Sequence, residues 1–71
     1  MPMKTGDIVR VKSSAPNGAG LPPGSIGIMV RKFERIWDFG SGDYGFYDSA
    51  EVMTSGRIFE VACDHLETLN G

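Results

Sequence analysis

Apolar residues recur at every second position in several short stretches of this 71-residue chain. That is the period of a β-strand, whose successive side chains point to opposite faces. The clearest stretch is residues 22–30, a Pro-Pro-Gly turn leading into Ser25-Ile26-Gly27-Ile28-Met29-Val30. Ile26, Ile28 and Val30 share one parity, and the pattern predicts that they are core. Gly27 lies between them without a side chain, so a neighbouring group can approach closely there.

The same reading gives the other strands. A Gly6-Asp7 turn opens a first strand at residues 8–12, with Val9 and Val11 on one face and the basic Arg10 and Lys12 on the other. Residues 13–24 hold Pro16, Gly18, Gly20, Pro22 and Pro23, which exclude a helix or a central strand. Twelve residues is long for a connection, and such loops often carry function; a plain ordered connection is the alternative. Leu21, the one large apolar residue of this loop, is expected to pin it to the fold. The second strand starts at Ser25, runs to about Phe33 and can continue to Trp37. A Gly40-Ser41-Gly42-Asp43 turn follows. The third strand begins at Tyr44 and can reach Met53, with a bend or bulge expected at Asp48-Ser49-Ala50. After a Thr54-Ser55-Gly56 turn, residues 57–61 form a fourth strand with Phe59 and Val61 on one face and Ile58 on the other. A single 3-10 turn over residues 62–65 leads to a short fifth strand at residues 66–69. Five short strands joined by Gly/Pro turns predict an all-β fold, a barrel or a sandwich.

Length changes this picture little: one domain, small enough to be marginally stable alone. Folds of this size often lean on disulfides, metals or oligomers. Cys63 is the only cysteine. It therefore forms no intrachain disulfide, cannot supply a Cys-rich zinc site, and fits a reducing compartment. The N-terminus has no apolar signal-type region and no run approaches a membrane span, so a cytoplasmic location and no membrane partner are expected.

The formal net charge of −2 argues against a general nucleic-acid binder. Its distribution is uneven. Residues 1–37 carry six basic and two acidic side chains; residues 38–71 carry one basic and seven acidic. The plain expectation is that the two halves pair across strands. A two-faced surface that favours head-to-tail association is the alternative.

Three segments carry a resemblance: Gly6-Asp7-Ile8-Val9-Arg10-Val11, the turn and strand Pro23-Gly24-Ser25-Ile26-Gly27-Ile28-Met29-Val30, and the closing Asp64-His65-Leu66-Glu67. In this order they resemble the SH3-like barrel superfamily, over nearly the whole chain. The resemblance implies a small five-stranded SH3-like barrel with a single 3-10 turn before the last strand; it says little about function. The same Gly-Asp-x-Val-Arg, Pro-x-Gly and Leu-Glu frame is similar to short proteins of phages and mobile gene cassettes, which implies such an origin. A more distant likeness is to the plasmid-borne type II dihydrofolate reductases. It rests on Arg57-Ile58-Phe59-Glu60, Val61-Ala62 and Leu66-Glu67. That family's pore glutamine and tyrosine have no counterpart here, so no active-site residue carries over.

Candidate chemistry is sparse. Trp37, Phe39, Tyr44, Phe46 and Tyr47 crowd one hairpin, more large rings than a barrel this small can enclose. Rings with polar tips suit interfaces. The alternative is that Trp37 and Phe46 are core and the rest incidental. Trp37, Phe39, Tyr44, Tyr47 and Arg35 are therefore the interface candidates. Asp38, Asp43 and Asp48 are too widely spaced for a calcium loop and read as solvated turn carboxylates. Cys63, Asp64 and His65 lack the ligand number of a metal site, so Asp64 reads as a cap or turn residue and Cys63 as a small buried hydrophobe. Gly18-Ala19-Gly20 has no following helix or lysine and is no phosphate loop. Arg31, Lys32 and Arg35 beside Phe33 and Trp37 form a basic–aromatic cluster that could stack and neutralise a single strand.

The sequence thus predicts a non-enzymatic module for protein interaction or assembly, self-association included, with no metal and no cofactor. A nucleic-acid accessory protein is the alternative. Its site is expected beside the second strand, between loop 13–24 and the aromatic hairpin.

Overall fold

The computed structural model describes residues 3–69. Five strands occur: β1 (Ile8–Val11), β2 (Ile26–Asp38), β3 (Tyr44–Thr54), β4 (Arg57–Ala62) and β5 (Leu66–Thr68), with a 3-10 turn, Cys63–His65, before β5. They form one antiparallel sheet in the order β4-β3-β2-β1-β5. The sheet is not closed. Among the described residues no helix is long and apolar enough to cross a membrane.

Turn chemistry sets the connections. Ser55 and Gly56 both have positive φ, 54° and 74°, the conformation a two-residue hairpin loop requires. At the opposite hairpin the Asp38 carboxylate accepts a bond from the Gly40 N–H, and the Phe39 N–H donates to the Asp43 carbonyl. Loop 13–24 is held by its backbone: Gly24 N–H donates to the Val11 carbonyl and Val11 N–H to the Ser25 carbonyl. Leu21 is buried and pins the loop, as expected, and Ala15 is a second buried anchor.

The core is Val9, Val11, Met29, Ala50, Val52, Val61, Cys63 and Leu66, with Ala15 and Leu21 from the loop. Val9 and Val11 point inward from β1, as their parity predicted. On β2 the expected parity is reversed. Met29 is fully buried, whereas Ile26 and Ile28 are about half exposed, at 51% and 45%, and Val30 is only half-buried. Pairing explains the reversal. Val9 stands opposite Gly27 and Ile8 opposite Ile28, and partners in an antiparallel ladder share a face. With Val9 turned inward, Gly27 must follow, and both isoleucines turn out. The room left inside at Gly27 is filled by Val52: a Cβ added there would lie 2.7 Å from its Cγ1 and 2.6 Å from the Met53 carbonyl oxygen.

A β-bulge follows between Met29 and Arg31. It was expected on β3 near Asp48; it falls on β2 instead, and Val30 is the extra residue. Past the bulge the parity of β2 switches, so Arg31, Phe33, Arg35 and Trp37 share the outer face that Ile26 and Ile28 occupy before it.

The strands are unequal. β4 pairs with β3 only over Ser49–Thr54. The rest of the β2–β3 hairpin is a two-stranded ribbon, and it makes the molecule elongated, 38 × 24 × 22 Å. A ribbon has no second layer on either face. Ile36 and Phe46, cross-strand partners, are therefore exposed on one face, and Trp37 on the other. This excludes the alternative in which Trp37 and Phe46 are core.

Candidate functional site

The outer face of β2, β3 and β4 is built in cross-strand rows. Ile28, Met53 and Ile58 form the first; Arg31, Glu51 and Glu60 the second; Phe33, Ser49 and Ala62 the third; Arg35 and Tyr47 the fourth; Trp37 and Gly45 the last. Glu51 and Glu60 stand directly opposite each other, which is repulsive unless compensated. Arg31 bonds Glu51 at 2.9 Å, and Arg35 forks onto Glu60, Nε to Oε2 at 2.8 Å and Nη2 to Oε1 at 2.6 Å. Ser49, buried in the sheet, donates its hydroxyl to Glu60 Oε2 at 3.0 Å. The Arg35 bonds, aided by the Ser49 hydroxyl, hold the Glu60 carboxyl below the usual carboxylate range, and the same contact raises the Arg35 pKa further.

The expected pairing of the two halves is present throughout. Arg10–Glu67, Arg31–Glu51, Lys32–Asp48 and Arg35–Glu60 each join a residue of the first half to one of the second. Arg31 and Arg35 also lie over the Phe33 ring, 4.5 and 5.0 Å from its centroid. The basic–aromatic cluster therefore already holds its own counter-charges.

Beyond these ion pairs, between loop 13–24 and the hairpin, lies a cleft of about 600 Å³. One wall is Trp37, Phe39 and Tyr47. The Trp37 ring centroid is 6.1 Å from that of Phe39 and 6.3 Å from that of Tyr47, the latter pair edge-on. Phe39 reaches this position by folding back over Gly45, where an added Cβ would lie 3.1 Å from the ring. The opposite wall is Gly18, Ala19 and Gly20, with Asp64 and His65 at one end and Glu60, Ser49 and Ala62 between. Gly20 packs so tightly on the Glu60 carbonyl that no side chain fits there.

The structure thus gathers three of the interface candidates, Trp37, Phe39 and Tyr47, and places Arg35 beside them in the ion pair with Glu60. Tyr44 is not among them. It pairs with Asp38 on the other face of the ribbon and is exposed. Sequence reasoning missed the loop glycines as a wall and Glu60 as part of the cleft; the length of loop 13–24 was the available signal. Asp64 does not cap the 3-10 turn: the cap position is Ala62, with no side-chain bond, and Asp64 sits in the first turn. Cys63 is buried, and burial pushes its thiol pKa up. His65 lines the cleft, and its Nδ1 is buried with no hydrogen-bond partner among the described residues. Among those residues no group of three or more His, Cys, Asp or Glu could hold a metal ion.

No protein-family model, no curated protein and no solved structure matches this chain.

Proposed function

We propose that this protein is a non-enzymatic interaction module, an SH3-like barrel that binds a segment of another protein in the cleft between loop 13–24 and the β2–β3 hairpin. The strand order β4-β3-β2-β1-β5 and the 3-10 turn before β5 support the barrel reading. The observation that carries the function is the cleft's aromatic wall. Trp37 and Phe39 remain more than half exposed while their rings pack at a tilt, with Tyr47 edge-on to Trp37, so they present rigid apolar area at little conformational cost. The charged side chains lining the cleft are Glu60, whose carboxylate Arg35 already matches, and Asp64, which has no ion pair among the described residues and so sets the local sign. An extended segment with an apolar side chain next to a basic one is the ligand that matches this lining. The buried single thiol fits a cytoplasmic setting.

Display of a random peptide library tests the reading. Peptides enriched by the wild-type protein should carry the apolar–basic pattern and should saturably shift the emission of Trp37, the only tryptophan. Phe39→Ala and Tyr47→Ala variants that keep the wild-type circular dichroism should lose them. If no peptide is enriched, or the same peptides are retained by both variants, the cleft is not the site. The nucleic-acid reading has less support, because Arg31, Lys32 and Arg35 are each paired with a carboxylate within the chain.

A further inference from the structure

A second apolar surface lies on the same side of the sheet, beyond the ion-pair rows. Ile28 is the cross-strand partner of Met53, and Met53 of Ile58, so these three stand in one row across β2, β3 and β4. Ile26 adjoins the row two residues along β2, on the same face. Their exposures are 51% for Ile26, 45% for Ile28, 43% for Met53 and 54% for Ile58. None is drawn into the cleft, and no core residue covers them.

We infer that this row is a self-association face, which a second copy of the chain covers by packing sheet against sheet. Four half-exposed aliphatic side chains of this size present about 400 Å² in one patch, as much as a typical soluble monomer carries anywhere. Two such faces bury about 800 Å² from those side chains alone, and the partly exposed flanking pairs Arg10–Glu67 and Arg31–Glu51 of both copies bring the total to about 1,200 Å², where specific interfaces begin. The chemistry of the row selects the partner. It holds only isoleucine and methionine, with no donor, acceptor or charge to be matched, so its complement is another flat aliphatic sheet face.

The flanks agree. On one side of the row stands the Arg10–Glu67 pair, at 2.7 Å; on the other, Arg31–Glu51, at 2.9 Å. A two-fold axis through the row lays the Arg10–Glu67 pair of one copy against the Arg31–Glu51 pair of the other. Each band is neutral and contains both signs, so association strands no unpaired charge in the interface. The aromatic cleft lies at the far end of the same face, past Glu60, and stays open in the pair.

Sedimentation equilibrium of the full chain from micromolar to millimolar concentration tests this. The wild type should be a dimer at the upper end. Ile58→Lys, at an exposed position on the edge strand β4, should weaken association at least about 100-fold, because each copy would bury an unpaired ammonium. Met53→Glu is the second variant, for use if Ile58→Lys does not fold. Ile36→Lys, on the opposite face of the hairpin, should leave the dimer intact. A wild type that stays monomeric to millimolar concentration overturns the proposal and leaves the face to a different protein. A dimer that persists in folded Ile58→Lys or Met53→Glu also overturns it. The outcome is separate from the cleft reading: an Ile58→Lys monomer should still bind the selected peptides, and Tyr47→Ala should still dimerise.

Discussion

Arg35 on β2 and Glu60 on β4 grip each other across the intervening strand β3, through two hydrogen bonds of 2.8 and 2.6 Å. Neither is a sequence neighbour of the other, and the Ser49 hydroxyl on β3 completes the bridge. The fork separates the aliphatic row from the aromatic cleft and fixes the floor between them.

The fork makes stability depend on acid. Glu60 has a lowered pKa in the fold, with Arg35 as the main cause. A carboxyl of that kind contributes stability above its unfolded pKa and loses it as pH falls through the folded value. Glu60→Gln should therefore be less stable than the wild type at neutral pH, and the gap should close as pH drops below the ordinary glutamate range. Urea midpoints of the two proteins across that range check the sign. The difference is modest, since both partners are exposed to solvent.

Gly27 is a packing requirement, because Val52 and the Met53 carbonyl occupy the space a side chain would need. Gly27→Ala should cost about 1–3 kcal/mol, the usual penalty for overpacking. Gly18→Ala, with nothing within 4 Å of an added Cβ, should stay within about 0.5 kcal/mol of wild type. Urea unfolding of both variants separates the two cases.

The reversed parity of β2 predicts an asymmetric pair of substitutions. Met29 is fully buried, so Met29→Ala should cost about 2–5 kcal/mol. Ile26 is half exposed, so Ile26→Thr should stay within about 0.5 kcal/mol at low protein concentration. Equal losses would restore Ile26 to the core.

Phe39 lies on Gly45, with ring atoms 3.1 and 3.2 Å from where a Cβ would be. Gly45→Val should push this ring off the cleft wall, shift the emission of Trp37 and weaken capture of the selected peptides at least about tenfold, the scale of one buried aromatic contact. Thermal melting should change little, since both Phe39 and Trp37 are exposed.

Much of the fold was legible locally. Turn residues such as Gly40, Gly42, Ser55 and Gly56 announced both hairpins, and the loop prolines bounded β1 and β2. Val9, Val11, Phe59 and Val61 declared their inward faces, because Arg10 stands between the first two and Glu60 between the last two. Asp48-Ser49-Ala50 misled. Ser49 and Ala50 have poor strand propensity, yet the strand runs straight through, because Ser49 finds partners in Glu60 and Val61 and Ala50 is fully buried. Of the candidate site, the aromatic half was legible as a surplus of rings, and the loop half only as unusual length.

By itself the sequence determined the strands, their order along the chain, the turns, and an excess of apolar side chains over what so small a core can hold. The tertiary structure alone decided which apolar residues are left outside. Ile26-Gly27-Ile28-Met29 is apolar on both parities, so alternation could not choose between them; pairing of Gly27 with Val9 chose. The bulge at Val30 then carried Arg35 and Trp37 onto the outer face, where Glu60 and Tyr47 meet them. A one-residue shift of register turns every side chain of a strand over, and only the neighbouring strands fix that shift.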